Sequence, residues 1–235
     1  MKIVAFILAR GGSKRIPLKN IKTIDNKPLI YYPIALAKKI KEIDRVIVST
    51  DHPEISKVAI ELGAEVPFQR PADISEDVAS ELVTEHALRY LIDKENYEPD
   101  IVITLTPATP FTQQTDLEKG IELLIQHPEW DSVTTVRKAT ESPHWMIDMA
   151  DDHSCKTILG NVLDGEYNVS QNLKQFYYPM GAFFINRADR FLKNPSLYGK
   201  AWGAIELSPE KHIDIDTPEE FELAKKMSVV VDSLK

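Results

Sequence analysis

An unbroken apolar run, Ile3 to Leu8, is followed at once by Ala9-Arg10-Gly11-Gly12-Ser13-Lys14-Arg15-Ile16-Pro17-Leu18-Lys19-Asn20. A run without polar alternation suits a strand buried on both faces, and a strand of that kind needs a layer of helices on each side. The segment after it is a glycine pair set among Arg10, Lys14, Arg15 and Lys19. Backbone can approach an anion closely at glycine, successive N–H groups can form an anion nest, and the cations can neutralise several negative charges. The sequence therefore offers a polyphosphate-holding loop at the end of a first strand, formed by Ala9, Arg10, Gly11, Gly12, Ser13 and Lys14. It contains neither G-x-x-x-x-G-K-[ST] nor G-x-G-x-x-G, which argues against a P-loop ATPase or a standard dinucleotide fold. A solvated basic turn is the alternative reading of the same residues.

The rest of the chain continues the alternation that such a first strand requires. Apolar periodicity predicts a helix over residues 28–42 opening at Pro28, a strand over 45–50, and a helix capped by Asp51 that stops at Gly63. A short strand over 64–67, a helix over 80–94, a strand over 100–105, a helix over 116–126 and a strand over 131–136 follow. The pattern weakens over 144–174 and resumes with strands over 181–186 and 204–207 and a closing helix from Thr217-Pro218. The expectation is one α/β domain spanning 1–235, a Rossmann-like three-layer α/β/α arrangement with a mainly parallel sheet and an inserted arm at about 140–178. Ligands in such folds gather beyond the carboxyl ends of the strands, where the glycine loop, Asp51 and the 105–110 segment would lie.

Composition narrows the function classes. With 235 residues, 43% hydrophobic and 27% charged, the chain is an ordinary globular one. A net charge of −8 argues against a general nucleic-acid binder, whose affinity comes from basic surface facing phosphates. The single cysteine, Cys155, suits a reducing compartment, and no apolar run approaches the ~20 residues that span a bilayer, so the expectation is a cytoplasmic protein with no membrane partner.

Near the carboxyl end, Asp214 and Asp216 alternate with Ile213 and Ile215. On an extended segment both carboxylates point to one face and both isoleucines to the core. Two hard oxygen ligands on one face suit Mg²⁺, which takes a few carboxylates with waters and phosphate oxygens. The other reading is that one aspartate caps the helix opening at Pro218 and the other is solvated, although Thr217 can serve as that cap.

The basic loop resembles that of the CMP-sugar-acid synthetases, the acylneuraminate cytidylyltransferase family that activates sialic, legionaminic and pseudaminic acids, with the Kdo enzymes as more distant relatives. Similar to the same family, and in its order, are residues 46–51, 63–71, Asp77-Val78-Ala79-Ser80 and Ile213-Asp214-Ile215-Asp216-Thr217-Pro218. The resemblance implies that CMP passes from CTP to the hydroxyl of an acidic sugar, with Arg10, Lys14 and Lys19 at the triphosphate and Asp214 and Asp216 holding Mg²⁺. It also implies that Asn20, Arg70 and Ala79 contact the nucleotide, and that the arm reaches across a homodimer. Asn20 is otherwise an ordinary turn residue and Arg70 an ordinary surface arginine. His144-Trp145 fits either arm packing or an acceptor contact.

The acceptor side departs from the sialic acid pattern. Thr106 stands where a glutamine is expected, Ser170 replaces the arginine ahead of Gln171 that helps receive the sugar acid, and Met180 replaces an asparagine. A lost arginine removes a bidentate partner for a carboxylate. Residues 108–111 lean toward the pseudaminic-type enzymes. Two alternatives stay open: transfer to another acidic acceptor, such as a Kdo-like sugar or a phosphonate, and a non-catalytic nucleotide-binding module.

Overall fold

Ile3–Leu8 forms β1, and its two faces feed two different cores. Ile3, Ala5 and Ile7 belong to one buried cluster, while Val4 and Phe6 belong to a second. The computed structural model describes residues 1–169, 171 and 173–233. Along these, β2 (Thr23–Ile24) and β3 (Lys27–Pro28) make a small hairpin before α1 (Tyr31–Lys39), β4 (Arg45–Ser49) and α2 (Pro53–Glu61). Then come α3 (Ser80–Glu95), β5 (Ile101–Leu105), α4 (Gln114–Gln126) and β6 (Ser132–Lys138). An excursion carries the hairpin β7 (Ile147–Met149) and β8 (Cys155–Thr157). The chain closes with β9 (Tyr177–Arg187), α5 (Ala188–Lys193), β10 (Trp202–Glu206) and α6 (Pro218–Ser233).

The central sheet has the order β10-β6-β9-β5-β1-β4. Its pairs are parallel except those of β9, which runs antiparallel to both β5 and β6. That strand arrives from the excursion rather than through a helical crossover, so nothing forces it parallel. One face of the sheet is covered through Ile34 and Ala37 of α1, Ile55 and Ala59 of α2, and Leu117 and Ile121 of α4. The other is covered through Ala87, Leu88 and Leu91 of α3 and Ala188 and Phe191 of α5. The expected three-layer α/β/α fold is thereby present.

Three predicted elements differ in instructive ways. Asp25 and Asn26 both adopt positive φ, 49° and 55°, which turns the chain into the β2–β3 hairpin and takes Pro28 out of the helix that begins at Tyr31. The strand expected at 64–67 is reduced to one parallel bridge between Glu65 and Ile47, since Pro67 has no N–H to extend it. The cap of α2 is His52, whose side chain accepts from the Glu54 amide, rather than Asp51. Asp51 turns instead to the glycine loop.

A third, smaller core positions the chemistry. Ile16 of the loop, Ile24 and Leu29 of the hairpin region, Ile213 and Ile215, and Phe221 and Ala224 of α6 bury together. This cluster brings the amino-terminal loop against the carboxyl-terminal acidic segment. Thr217 accepts from the Glu220 amide at 3.3 Å while Glu220 accepts from the amides of Asp216 and Thr217 at 2.8 Å, a capping box at the start of α6. Neither Asp214 nor Asp216 is spent as a cap.

Candidate active site

The glycine loop leaves β1 at its carboxyl end and is anchored from three directions. Asn20, 4% exposed, donates to the Arg10 carbonyl at 2.9 Å. Asp51 accepts from the Gly11 amide at 2.8 Å, and Lys19 donates to the Ile215 carbonyl at 2.5 Å. Gly11 has a steric reason to be glycine: a Cβ there would stand 2.8 Å from the His52 side chain. The Gly11 amide is taken by Asp51 and the Ser13 amide by the Gly11 carbonyl at 2.9 Å, so two N–H groups of the expected nest are already engaged. Ala9 is fully buried and its amide bonds to Ser49, which gives it a place in the loop's base. The side chains of Arg10, Lys14 and Lys19 border the same cleft.

Across the same cleft stand the two carboxylates. Ile213 and Ile215 are 9% and 0% exposed, so the alternation points Asp214 and Asp216 outward together. Ile215 donates its amide to the Ala108 carbonyl at 2.9 Å, fixing the segment against the turn that follows β5. Lys19 reaches Asp216 at 3.1 Å, joining loop and acidic pair directly. Asp214 touches solvent yet has protein on most sides; this desolvation, and next the charge of Asp216, raise its pKa above the ordinary carboxylate value. Two adjacent carboxylates, one of them without an ion pair among the described residues, form a donor set that fits a divalent cation. No group of three or more His, Cys, Asp or Glu side chains gathers as metal ligands among the described residues. A cation held here would complete its shell with water and phosphate oxygens, as Mg²⁺ does.

Between these walls lies an open cleft of about 510 Å³ lined by Arg10, Lys19, Arg70, Thr106, Asp214 and Asp216 among others. Lys14, Ser13 and Asn20 line its continuation. Arg70 is 5% exposed and bonds to Ser49 through Nε (3.1 Å to Oγ) and Nη2 (2.5 Å to the carbonyl). Burial lowers its pKa to about 10, so it remains a cation at neutral pH. Ala79 is the N-cap residue of α3, exposed between the cleft-lining Val78 and Ser80.

Of the residues expected to face an acceptor, Thr106 lines the cleft and its hydroxyl accepts from the Ala108 amide at 3.3 Å. Gly181, with φ +63°, also lines it, and a side chain there would meet the Phe184 ring at 3.3 Å. Met180 precedes it in β9, half-buried, and Gln171 is exposed on the arm; Ser170 lies outside the described residues.

Two contacts go beyond what sequence reasoning places: Asp51 is expected near the glycine loop but not bonded to it, and Asp77 is singled out only within the 77–80 segment. Asp51 reads locally as a helix cap, and only the β1–β4 pairing carries it to Gly11. Asp77 gave no sign of its partners: it forms ion pairs with Arg10 and, at 2.8 Å, with Lys14, 63 residues away.

A family model described as cytidylyltransferase matches residues 4–231. The chain is 30% identical over 234 residues to CMP-N,N'-diacetyllegionaminic acid synthase of Legionella pneumophila, covering 97% of this chain and 96% of that protein. It is 29% identical over 233 residues to pseudaminic acid cytidylyltransferase of Campylobacter jejuni, covering 96% and 95%. Post-translational flagellin modification protein B of Campylobacter coli is 29% identical over 226 residues, covering 95% and 94%. Among solved structures, CMP:2-keto-3-deoxy-manno-octonic acid synthetase complexed with CTP matches with a TM-score of 0.73 at 18% identity, covering 97% of this chain and 99% of that one. That last likeness bears on the fold.

Proposed function

The chain belongs to the cytidylyltransferase family, and from that premise we propose that it transfers CMP from CTP to a hydroxyl of a nonulosonic, sialic-acid-like sugar acid. The acceptor hydroxyl gives up its proton to solvent as its oxygen bonds to the α-phosphorus and the bond from that phosphorus to the bridging β-phosphate oxygen breaks, and pyrophosphate leaves. The observation that carries this reading is the opposition, across one cleft, of a loop bearing Arg10, Lys14 and Lys19 to the Asp214–Asp216 pair, with Lys19 touching both. Transfer of this kind depends on in-line positioning and on neutralising charge that builds on phosphate oxygens, with no covalent nucleophile required.

In this reading Arg10, Lys14 and Lys19 hold the triphosphate, while Arg70, Asn20 and the backbone around Ala79 orient the nucleoside. Asp214 and Asp216 hold Mg²⁺, which when bound supplies Lewis-acid neutralisation of the phosphate oxygens. The acceptor lies toward Thr106 and Met180, with Gln171 contributed by the 140–178 segment. The nonulosonic class follows from relatives named for legionaminic and pseudaminic acids. The departures at Thr106, Ser170 and Met180 favour a member of that class other than sialic acid, and keep a Kdo-like sugar or phosphonate as the second reading.

The arm at about 140–178 is proposed as a dimerisation element of a single-domain protein. It carries exposed apolar side chains at Ile147, Met149, Ile158 and Val162, which a second subunit would cover. The exposed free thiol of Cys155 fits a reducing, cytoplasmic setting, and no helix among the described residues is long and apolar enough to cross a membrane. Replacement of Asp214 by alanine tests the site. Pyrophosphate release is expected to fall by about a hundred- to a thousandfold, the scale of losing a main electrostatic stabiliser, while CTP binding by calorimetry weakens only modestly. Retention of near-full turnover in that variant sinks the assignment.

A further inference from the structure

Asp77 is the only carboxylate that meets Arg10 and Lys14 among the described residues, and it meets both at once. One of its oxygens pairs with Arg10 Nη2 and the other lies 2.8 Å from Lys14 Nζ. No other partner of this carboxylate is found among the described residues, and it caps nothing, because the N-cap position of α3 is Ala79 with no side-chain cap. The loop keeps its course through other contacts, namely Asn20 to Arg10, Gly11 to Asp51 and Lys19 to Ile215. Asp77 borders both halves of the cleft in which Arg10 lies. Among the described residues its only contacts are with the two cations assigned above to the triphosphate.

We propose that Asp77 is a displaceable counter-charge that sets the affinity of the loop for polyphosphate. This inference rests on the triphosphate role of Arg10 and Lys14. A ligand carrying several negative charges displaces a single carboxylate from both cations, and does so readily because the Asp77 side chain is 56% exposed and its ion pairs are screened by solvent. When pyrophosphate departs, Asp77 re-engages the same cations and opposes rebinding. The loop is thereby spared from retaining its own leaving group, a step that limits turnover in many transferases. The mutual influence of these groups agrees: Lys14 holds the Asp77 pKa down, Arg10 does so next, and Asp77 holds that of Lys14 up.

The test is calorimetric binding of inorganic pyrophosphate to the wild-type protein, Asp77→Asn, Lys14→Met and the double variant. The amide keeps the shape and removes the charge, and binding in Asp77→Asn is expected to tighten about three- to tenfold, the scale of two exposed ion pairs no longer in competition. In the Lys14→Met background the same substitution is expected to yield a smaller gain, which a purely structural role of Asp77 would not produce. Weaker or unchanged pyrophosphate binding in Asp77→Asn overturns the counter-charge. Failure of the wild type itself to bind pyrophosphate overturns it together with the triphosphate reading beneath it, so the two failures are told apart.

Discussion

At the scale of single residues, the carboxylate pair is the place where stability and activity are opposed. The pKa of Asp214 is raised in the folded protein, by desolvation first and Asp216 second. Folding therefore favours the protonated form; that contribution is complete below the unfolded carboxylate value, about 3.9, and is lost as pH rises through the higher folded value. Above it, the charged side chain costs stability. Asp214→Asn, with no charge to desolvate, is expected to melt higher than wild type at pH 7.5 in chelator. Discounted for solvent contact, the gain is about one or two degrees, and the two melting curves converge as pH falls below 4. A lower melting temperature for Asp214→Asn at neutral pH contradicts this account of its environment. Lys19 belongs to the same balance, since it pairs with Asp216 at 3.1 Å and its charge also pulls the Asp214 pKa down, against the larger upward effects.

At the scale of elements, the site depends on how firmly the acidic segment is tied to the sheet. Lys211 and Asp116 are 7% and 9% exposed, and Lys211 Nζ lies 2.8 Å from both carboxylate oxygens. Asp116 also accepts from the Gln113 amide at 3.0 Å, closing the capping box of α4. The pair thus fastens the chain just before Asp214 to the amino end of α4. Lys211→Ala leaves Asp116 buried without its cation, a loss of about 3–5 kcal/mol. At roughly 2–4 °C per kcal/mol for a chain of this size, the melting temperature is expected to drop by at least about 6 °C; a drop below about 2 °C in a scanning calorimeter would show the pair to be incidental. Most elements were legible in the sequence because burial on two faces leaves an unbroken apolar run, as in β1, and helices repeat their apolar positions. What stayed hidden was decided by contacts across the fold. Asp51 looked like a cap until β4 was paired with β1, and Pro28 looked like a helix start until the Asp25-Asn26 turn drew it into a hairpin.

At the scale of the whole molecule, the site joins the two ends of the chain: Lys19 bonds to a carbonyl 196 residues away. The identity of the polar residues in both segments was readable in the sequence, through the glycine–cation loop and the Asp-Ile-Asp alternation. Their juxtaposition was not, because it rests on a small third core in which Ile16 meets Ile213 and Ile215. Asp77 stayed silent because its partner Lys14 lies 63 residues away in the sequence. The excursion is the other large-scale feature, and its exposed apolar residues carry the expectation of a dimer. Sedimentation should give a dimer for the wild type and a monomer, or a markedly weakened dimer, for the double variant Ile147→Asp, Met149→Asp. A folded wild-type monomer at micromolar concentration contradicts a dimerising arm.

The central claim is that loop and carboxylate pair together perform cytidylyl transfer to a nonulosonic acid. Its most direct test is pyrophosphate release from each of the four nucleoside triphosphates with Mg²⁺, against legionaminic, pseudaminic and sialic acids, Kdo and a simple phosphonate. The account predicts release with CTP and a nonulosonic acid, accompanied by a CMP-sugar product. Silence across the panel from folded protein, or release only with another nucleotide, contradicts it.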